Sequence, residues 1–569
     1  MALKTNIDAA AAKEKSDIVL KNGFIINVFD QSIEKNDVAI KGNCIIGIGK
    51  YDGKEEVDCT GLYISPGFID SHVHIESSMM TPFNFSKVVI EKGVTTVIAD
   101  PHEIANVMGL EGIRFMIDDA CKAPSDIFFM LPSCVPATDF EDNGAKLDAS
   151  MLSKLIKDEH VLGLGEVMDV PSVIEGKDEI IDKINLFKGR VIDGHCPEIS
   201  DKWLNAYLSA GITTDHESST CEEALKKVRR GMYVLVREGS AAKNLKSVIK
   251  AVNDNNYHRF LFCTDDRHIE DLIEEGSIDY CIRKAVKEGI NPVRAVTMAT
   301  YNAAECYGLK KRGAVAPGYK ADLVILEDLN SVKIKSVIKD GKIYDKNSFP
   351  SAAYTKTVKN TMNIDYIDER ELKIPKEGDF VNVIKIVPDS IYTLKEKKKA
   401  VPDESGMYVQ KVDDRSVIKI GVFERHKKTG RKALGYIEGL GIKNCAVAQT
   451  IAHDSHNIIA AGDNDGDMAL AVNSVIERGG GIAFVSDRKL LHYISLPIGG
   501  LITYEDTQKL LSDMIKIKET AKEYGISSSI DPFLTLGFMA LPVIPQIKIT
   551  SRGIFDYDTF KFINLFCEK

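Results

Sequence analysis

Between about Phe68 and Leu309 the chain alternates short apolar runs with longer stretches of helical character, and each apolar run closes on polar or ionisable residues. Eight such ends can be read: FIDSHVH, TTVIADPHE, IFFMLPSCVP, VLGLGEV, VIDGHCP, ITTDHES, YVLVREGS and FLFCTDD. Eight strand–helix units over this length predict a (β/α)8 TIM-like barrel, in which functional groups gather where strands end and loops begin. An open doubly wound sheet is the alternative, but no GxGxxG follows an early strand.

The pattern differs on both sides of that region. From Asp17 to about Ser65 the chain reads as short strands and turns, with Gly23, Gly42 and Gly61 between apolar runs as hairpins require. After the barrel, RGAVAPGYKADLVILE and VKIKSVIKDGKIY read as strands again. They are expected to pair with the N-terminal strands and close a small β-sandwich from segments flanking the barrel. The expected division is 1–65 with 310–350 for this β-domain, 66–309 for the barrel, a polar linker around 345–363, and an α+β domain over 364–569. That last part holds strand-like DFVNVIKIV, SVIKIGVFE and GGIAFVSD and the helix candidate DMALAVNSVIERG.

A chain of 569 residues exceeds what one hydrophobic core accommodates, so several domains are expected anyway. With 44% hydrophobic and 27% charged residues it has the composition of a soluble globular protein. A formal charge of −10 argues against nucleic acid as partner, because phosphate binding needs a concentrated basic surface. Runs such as Lys397-Lys398-Lys399 are short and read as solvated loops. Eleven scattered cysteines without CxxC fit reduced thiols. The opening MALKTNIDAAAAKEKSD carries charges where a secretory signal would be apolar, and no apolar run reaches membrane-spanning length. A cytoplasmic protein with no membrane partner is expected.

His72-Val73-His74 is the strongest chemical signal. On a strand, residues i and i+2 face the same way, so both imidazoles can reach one ion. The pair alone is weak; two polar residues on a wet strand face would look the same. Other strand ends add to it: Glu166 closes VLGLGE, His195 closes VIDGH, His216 closes ITTDH and Asp265 closes FLFCTD. Any one of these could be a side chain hydrogen-bonded in a turn. Burying all of them at one rim requires compensation, and metal coordination supplies it. Six ligands suit two divalent cations: His72, His74 and Asp265 on one, His195 and His216 on the other, Glu166 between them. A single ion on His72, His74, His195 and Asp265, with Glu198 as acid–base group, is the alternative.

These motifs resemble the amidohydrolase superfamily, with HxH after the first strand, histidines after the fifth and sixth and Asp after the eighth. GAVAPGYKADLVIL looks like its return strand into the β-domain. Within the superfamily, PGFIDSHVHIESS, ADPHEIANVMG, LGLGEVM, TDHES, FCTDDRH, IAHDSHNIIAAG and SSIDPFLTLGFMALPVIP are similar to the bacterial adenine deaminases and span nearly the whole chain. Many binuclear relatives carry a carboxylated lysine where this chain has Glu166; either supplies a bridging carboxylate. The difference counts against dihydroorotase-like or hydantoinase-like activity.

The resemblance implies hydrolytic deamination of adenine to hypoxanthine and ammonia in purine salvage, by metal-activated hydroxide attacking C6. It implies manganese or iron(II), with zinc equally compatible with the ligand types. Asp265 would carry the proton, and His102, Glu103 and Asp266 are candidates for holding the base and assisting the ring nitrogen, Glu103 also for proton transfer. The helix-start reading of PHE, and Asp266 as a cap or partner of Arg267, are the plain alternatives. Arg237, Glu238 and Ser240 lie at the same rim. The cluster HDSHN, His453 to Asn457, could join the site, cover it, or simply form a turn between domains. NDGD at Asn464 to Asp467 lacks the remaining spacing of a calcium loop. Large barrels of this kind often assemble, so a homo-oligomer is expected. The rival readings are another nucleobase or cyclic-amide hydrolase and a catalytically silent scaffold. A nucleic-acid deaminase would need H-x-E with P-C-x-x-C, which is absent.

Overall fold

A computed structural model describes residues 3–349, 359–388, 390–412, 416–527 and 530–568. All eight apolar runs become strands: Phe68–Val73, Val94–Ala99, Asp126–Leu131, Val161–Val167, Val191–Gly194, Thr214–Asp215, Tyr233–Arg237 and Phe260–Cys263. The first five pair in order in one parallel sheet and the last three in another. Two seams join them into a barrel. At one, the Thr213 N–H donates to the Ile192 carbonyl at 3.1 Å. At the other, Val73 bridges Asp265 and the Thr264 N–H and hydroxyl both donate to buried Asp70. Burial pushes the Asp70 carboxyl up to about 7 against those hydrogen bonds.

The flanking segments pair as expected. Leu323–Asp328 lies antiparallel to Tyr63–Pro66, within one hydrogen-bonded eight-stranded sheet that also contains Ser16–Ile26, Ile33–Lys41 and Cys44–Ile48. Gly42 and Gly61 do sit in turns with positive φ. Gly23 does not: it lies inside Ser16–Ile26, where the pairing register shifts between Leu20 and Gly23. A Cβ there would fall 2.4 Å from Ile64 Cδ1, so glycine marks close packing at a bulge rather than a hairpin. Of the linker expected over 345–363, residues 350–358 lie outside the described residues, as do Met1 and Ala2 of the opening segment and the leading Ser528-Ser529 of SSIDPFLTLG.

The C-terminal runs become Phe380–Ile386, Val417–Phe423 and Gly481–Ser486 in a ten-stranded sheet. Helix Asp465–Glu477 packs on that sheet, and Asn464 caps it by accepting from the Asp467 N–H, which is the job of NDGD. The C-terminal segments are tied to the barrel through Asp142, in the loop after the third barrel strand. Its carboxylate meets Arg431 at 2.7 Å, Arg552 at 2.9 Å and the Ser551 hydroxyl at 2.8 Å, and Asn457 Nδ2 donates to its carbonyl at 2.6 Å. All eleven cysteines are unpaired. Among the described residues no helix is long and apolar enough to cross a membrane.

Candidate active site

The six proposed ligands meet at the carboxyl ends of the barrel strands. Nε2 of His72 and of His74 lie 3.2 Å apart, and both face Asp265 Oδ1, at 3.3 and 3.2 Å. Glu166 reaches in both directions: Oε1 is 3.3 Å from His74 Nε2, while Oε2 is 2.7 Å from His195 Nδ1 and 3.1 Å from His216 Nε2. The His72 and His216 rings stack with centroids 4.2 Å apart.

Neighbouring groups aim these side chains. His74 Nδ1 lies 3.0 Å from the Asp100 carbonyl oxygen, which can only accept, so Nδ1 carries the proton and Nε2 offers a lone pair. Asp100 Oδ2 accepts the Glu166 N–H at 2.9 Å, and a Cβ on Gly165 would sit 2.1 Å from that oxygen. The glycine of LGLGE is thus what lets Asp100 approach. Asp265 has φ +57°, and its N–H donates to the His72 carbonyl at 2.9 Å while its own carbonyl accepts from His74 N–H at 3.1 Å. The left-handed turn swings its carboxylate back over the first strand's histidines.

His195 and His216 are held through a buried lysine. Lys227 donates to Asp215 at 2.7 Å, Glu223 at 2.8 Å, the Ser218 hydroxyl and the Cys196 carbonyl. Asp215 in turn accepts the Cys196 N–H at 2.9 Å, so the loop carrying His195 is fastened to the strand carrying His216. Replacing Lys227 with Met would leave two buried carboxylates unpaired and is expected to destabilise the fold by about 3–5 kcal/mol. Denaturant unfolding should show this, together with weaker metal retention; a change below about 1 kcal/mol would count against the linkage.

Charges agree with a cation-binding role. Burial works to raise Glu166, but the imidazoles of His195 and His216 outweigh it and hold the carboxyl well below its ordinary range. Burial likewise opposes ionisation of Asp265, and Arg237, 2.8 Å from Oδ2, prevails together with the histidines. Asp100 Oδ1 and His102 Nδ1 are buried without hydrogen-bond partners, and His102 Nδ1 lies 3.4 Å from Glu166 Oε1. Lone pairs converging on ionised carboxylates, with buried polar atoms left over, suit a bound cation. The triads His72–His74–Glu166, His72–His216–Asp265, Glu166–His195–His216 and Asp100–His102–Glu166 each have ligand atoms within 4.8 Å of one another.

The other candidates are distributed unevenly. Glu103 joins the site, but its carboxylate is clasped by His453 Nδ1 at 2.7 Å and by His456 Nε2, so HDSHN reaches the barrel mouth. His102 lies between Glu103 and the Glu166 cluster. Asp266 accepts from the Ser77 hydroxyl rather than pairing with Arg267, whose partner is Glu275. Arg237 reaches Asp265 and Glu217, whereas Glu238 turns to Lys284 and Ser240 to Asp271. Glu198 is exposed.

Asp100 and Glu217 are not among the residues expected from the sequence. Asp100 carries the same signal as the six, an acid closing an apolar strand, immediately before PHE. Glu217 stands beside His216 and lies 3.7 Å from His195 Nδ1.

A parallel barrel with this cluster of histidines and carboxylates, carried between two strands of one flanking sheet, is the arrangement of an amidohydrolase, and residues 63–344 match the family model described as Amidohydrolase family. Residues 391–561 match a second, described as Adenine deaminase C-terminal domain. The adenine deaminase of Clostridium acetobutylicum is 46% identical over 571 residues, covering 99% of this chain and 100% of that one. That of Geobacillus kaustophilus is 46% identical over 571 residues, covering 99% and 98%. That of Bacillus pumilus is 44% identical over 565 residues, covering 98% of each. The chain belongs to the adenine deaminase family.

Proposed function

We propose that this chain hydrolyses adenine to hypoxanthine and ammonia, using two divalent cations held by His72, His74, Glu166, His195, His216 and Asp265. The observation that carries it is the meeting of those six side chains at one barrel mouth, with Glu166 facing both histidine pairs. The same ligand types accept manganese, iron(II) or zinc, and family membership favours the first two. Bound there, the cations would lower the pKa of water from about 15.7 to roughly 7 and make a nucleophile available at neutral pH.

The protein's own groups do the rest. Asp265 Oδ1 faces the first histidine pair, and Arg237 keeps the carboxylate ionised, so Asp265 serves as base for the attacking water and passes the proton to the purine. Attack at C6 loads negative charge on the neighbouring ring nitrogen. Glu103 and Asp266 are assigned to that side of the base, with His102 helping to hold it. His453 and His456 fix the Glu103 carboxylate from the opposite domain, so the C-terminal segment supplies part of the site. The overall change adds one water and releases one ammonia. The division into 1–65 with 310–350, 66–309 and 364–569 is supported by where the hydrogen-bonded sheets begin and end.

Protein reconstituted with manganese should release ammonia from adenine and not from guanine, cytosine or a cyclic amide. Release from one of those in preference to adenine, or from none, overturns the assignment.

A further inference from the structure

A pocket between the barrel and the C-terminal segment has Asp266 on one wall and His453 on the other, with Met79, Ile482 and Met514 making much of the remainder apolar. Asp266 directly follows Asp265, which brings this pocket to the cluster of six. His453 and His456 both hold Glu103, yet the two imidazoles are not equivalent. Burial works to raise Glu103, but His453, His456 and His102 outweigh it and keep the carboxyl well below its ordinary range. An ionised carboxylate only accepts, so Nδ1 of His453 and Nε2 of His456 each carry a proton. His456 has no second one, because its Nδ1 accepts the Ala452 N–H at 3.2 Å and must be bare. Burial, with the charges of His453 and Arg425, pushes His456 down to about 4 against the pull of Glu103. His456 is a neutral clasp.

His453 differs. Among the described residues no backbone N–H occupies either of its nitrogens. Nδ1 donates to Glu103 Oε1 at 2.7 Å and one face stacks on Phe538, with centroids 4.5 Å apart. The ring's remaining edge, which carries Nε2, is what it presents to the pocket. The charges facing it are Glu103 from helix His102–Met108, Asp266 from the barrel rim, and Asp454 and His456 from its own turn. Burial works to lower it, but the three carboxylates prevail and push it up to about 9. A carboxylate on Nδ1–H with Nε2 open fixes an imidazole's tautomer and stabilises its cation.

We propose that His453 is a catalytic residue supplied by the C-terminal segment: its Nε2–H protonates the ring nitrogen beside C6 during attack, with Glu103 as its orienting carboxylate. As the C6–O bond forms, the attacking water gives one proton to Asp265, which passes it to the amine as the C6–N bond breaks. The other proton, released when the C6 hydroxyl becomes a carbonyl, restores the His453 cation. The proton that His453 gave stays on the ring nitrogen of hypoxanthine. This rests on the deaminase reading and adds to it the source of the ring proton.

The test uses full-length, manganese-reconstituted protein and His453→Asn. The asparagine amide nitrogen can stand in for Nδ1 and keep the bond to Glu103, but nothing replaces Nε2. The variant should lose about 10²- to 10⁴-fold in kcat for adenine, with KM within about threefold and its manganese retained. In the unaltered protein kcat should decline above about pH 9, because the charged imidazole donates. That alkaline limb should be missing from the variant's residual activity, which a merely structural role would not bring about. A folded variant with kcat within about threefold of the unaltered protein overturns the proposal. So does one that keeps the limb, or one that loses its manganese. Should the variant not fold, a kcat of the unaltered protein that stays constant to about pH 10.5 overturns the proposal by itself. Absence of adenine turnover in the unaltered protein overturns the deaminase reading instead.

Discussion

Asp265→Asn is expected to lower adenine turnover by about 10³-fold or more while leaving the protein folded. The amide has the shape of the carboxylate but cannot take up the proton that attack on C6 releases. The backbone around it does not depend on the side chain: the N–H of residue 265 bonds the His72 carbonyl, and its carbonyl accepts from His74. Arg237, relieved of one carboxylate, still has Glu217. Ammonia release alongside thermal denaturation separates loss of chemistry from loss of fold. Near-normal turnover would remove Asp265 from proton transfer.

Glu166→Gln is expected to reduce bound metal by about one ion per chain and to abolish activity with it. Both oxygens of Glu166 are committed, Oε1 toward His74 and Oε2 toward His195 and His216. An amide would present one oxygen and one NH2, and the NH2 would point a donor at whichever side needs a ligand. His195 and His216 would then keep a site without its anionic bridge. Elemental analysis of protein purified from manganese-supplemented cells counts the loss directly. Unchanged stoichiometry would mean that the carboxylate does not bridge.

Much of this site could be read from the chain because a parallel barrel converts a one-dimensional regularity into a place. Each of the six side chains closes an apolar run, and the strands of one parallel barrel all end at the same face. VLGLGE and FLFCTD therefore announce that Glu166 and Asp265 are neighbours although about a hundred residues separate them. The family resemblance added the chemistry and the C-terminal motifs. Gly23 lies at a bulge and not in the expected turn, because glycine between apolar runs suits both equally well. Only the packing of Ile64 against it distinguishes the two.

His453 and His456 show where local pattern stops. Their surroundings gave even weight to a turn, a lid or a ligand, and nothing near them in the chain names Glu103 as partner, some 350 positions away. Strand ends, ligand types and their order are properties of the polypeptide, because alternation and apolar run length are local. Which domain completes the mouth of the barrel, and which polar atoms are left without partners there, was decided only when distant surfaces were brought together, because hydrogen bonding and burial belong to pairs of segments rather than to either one.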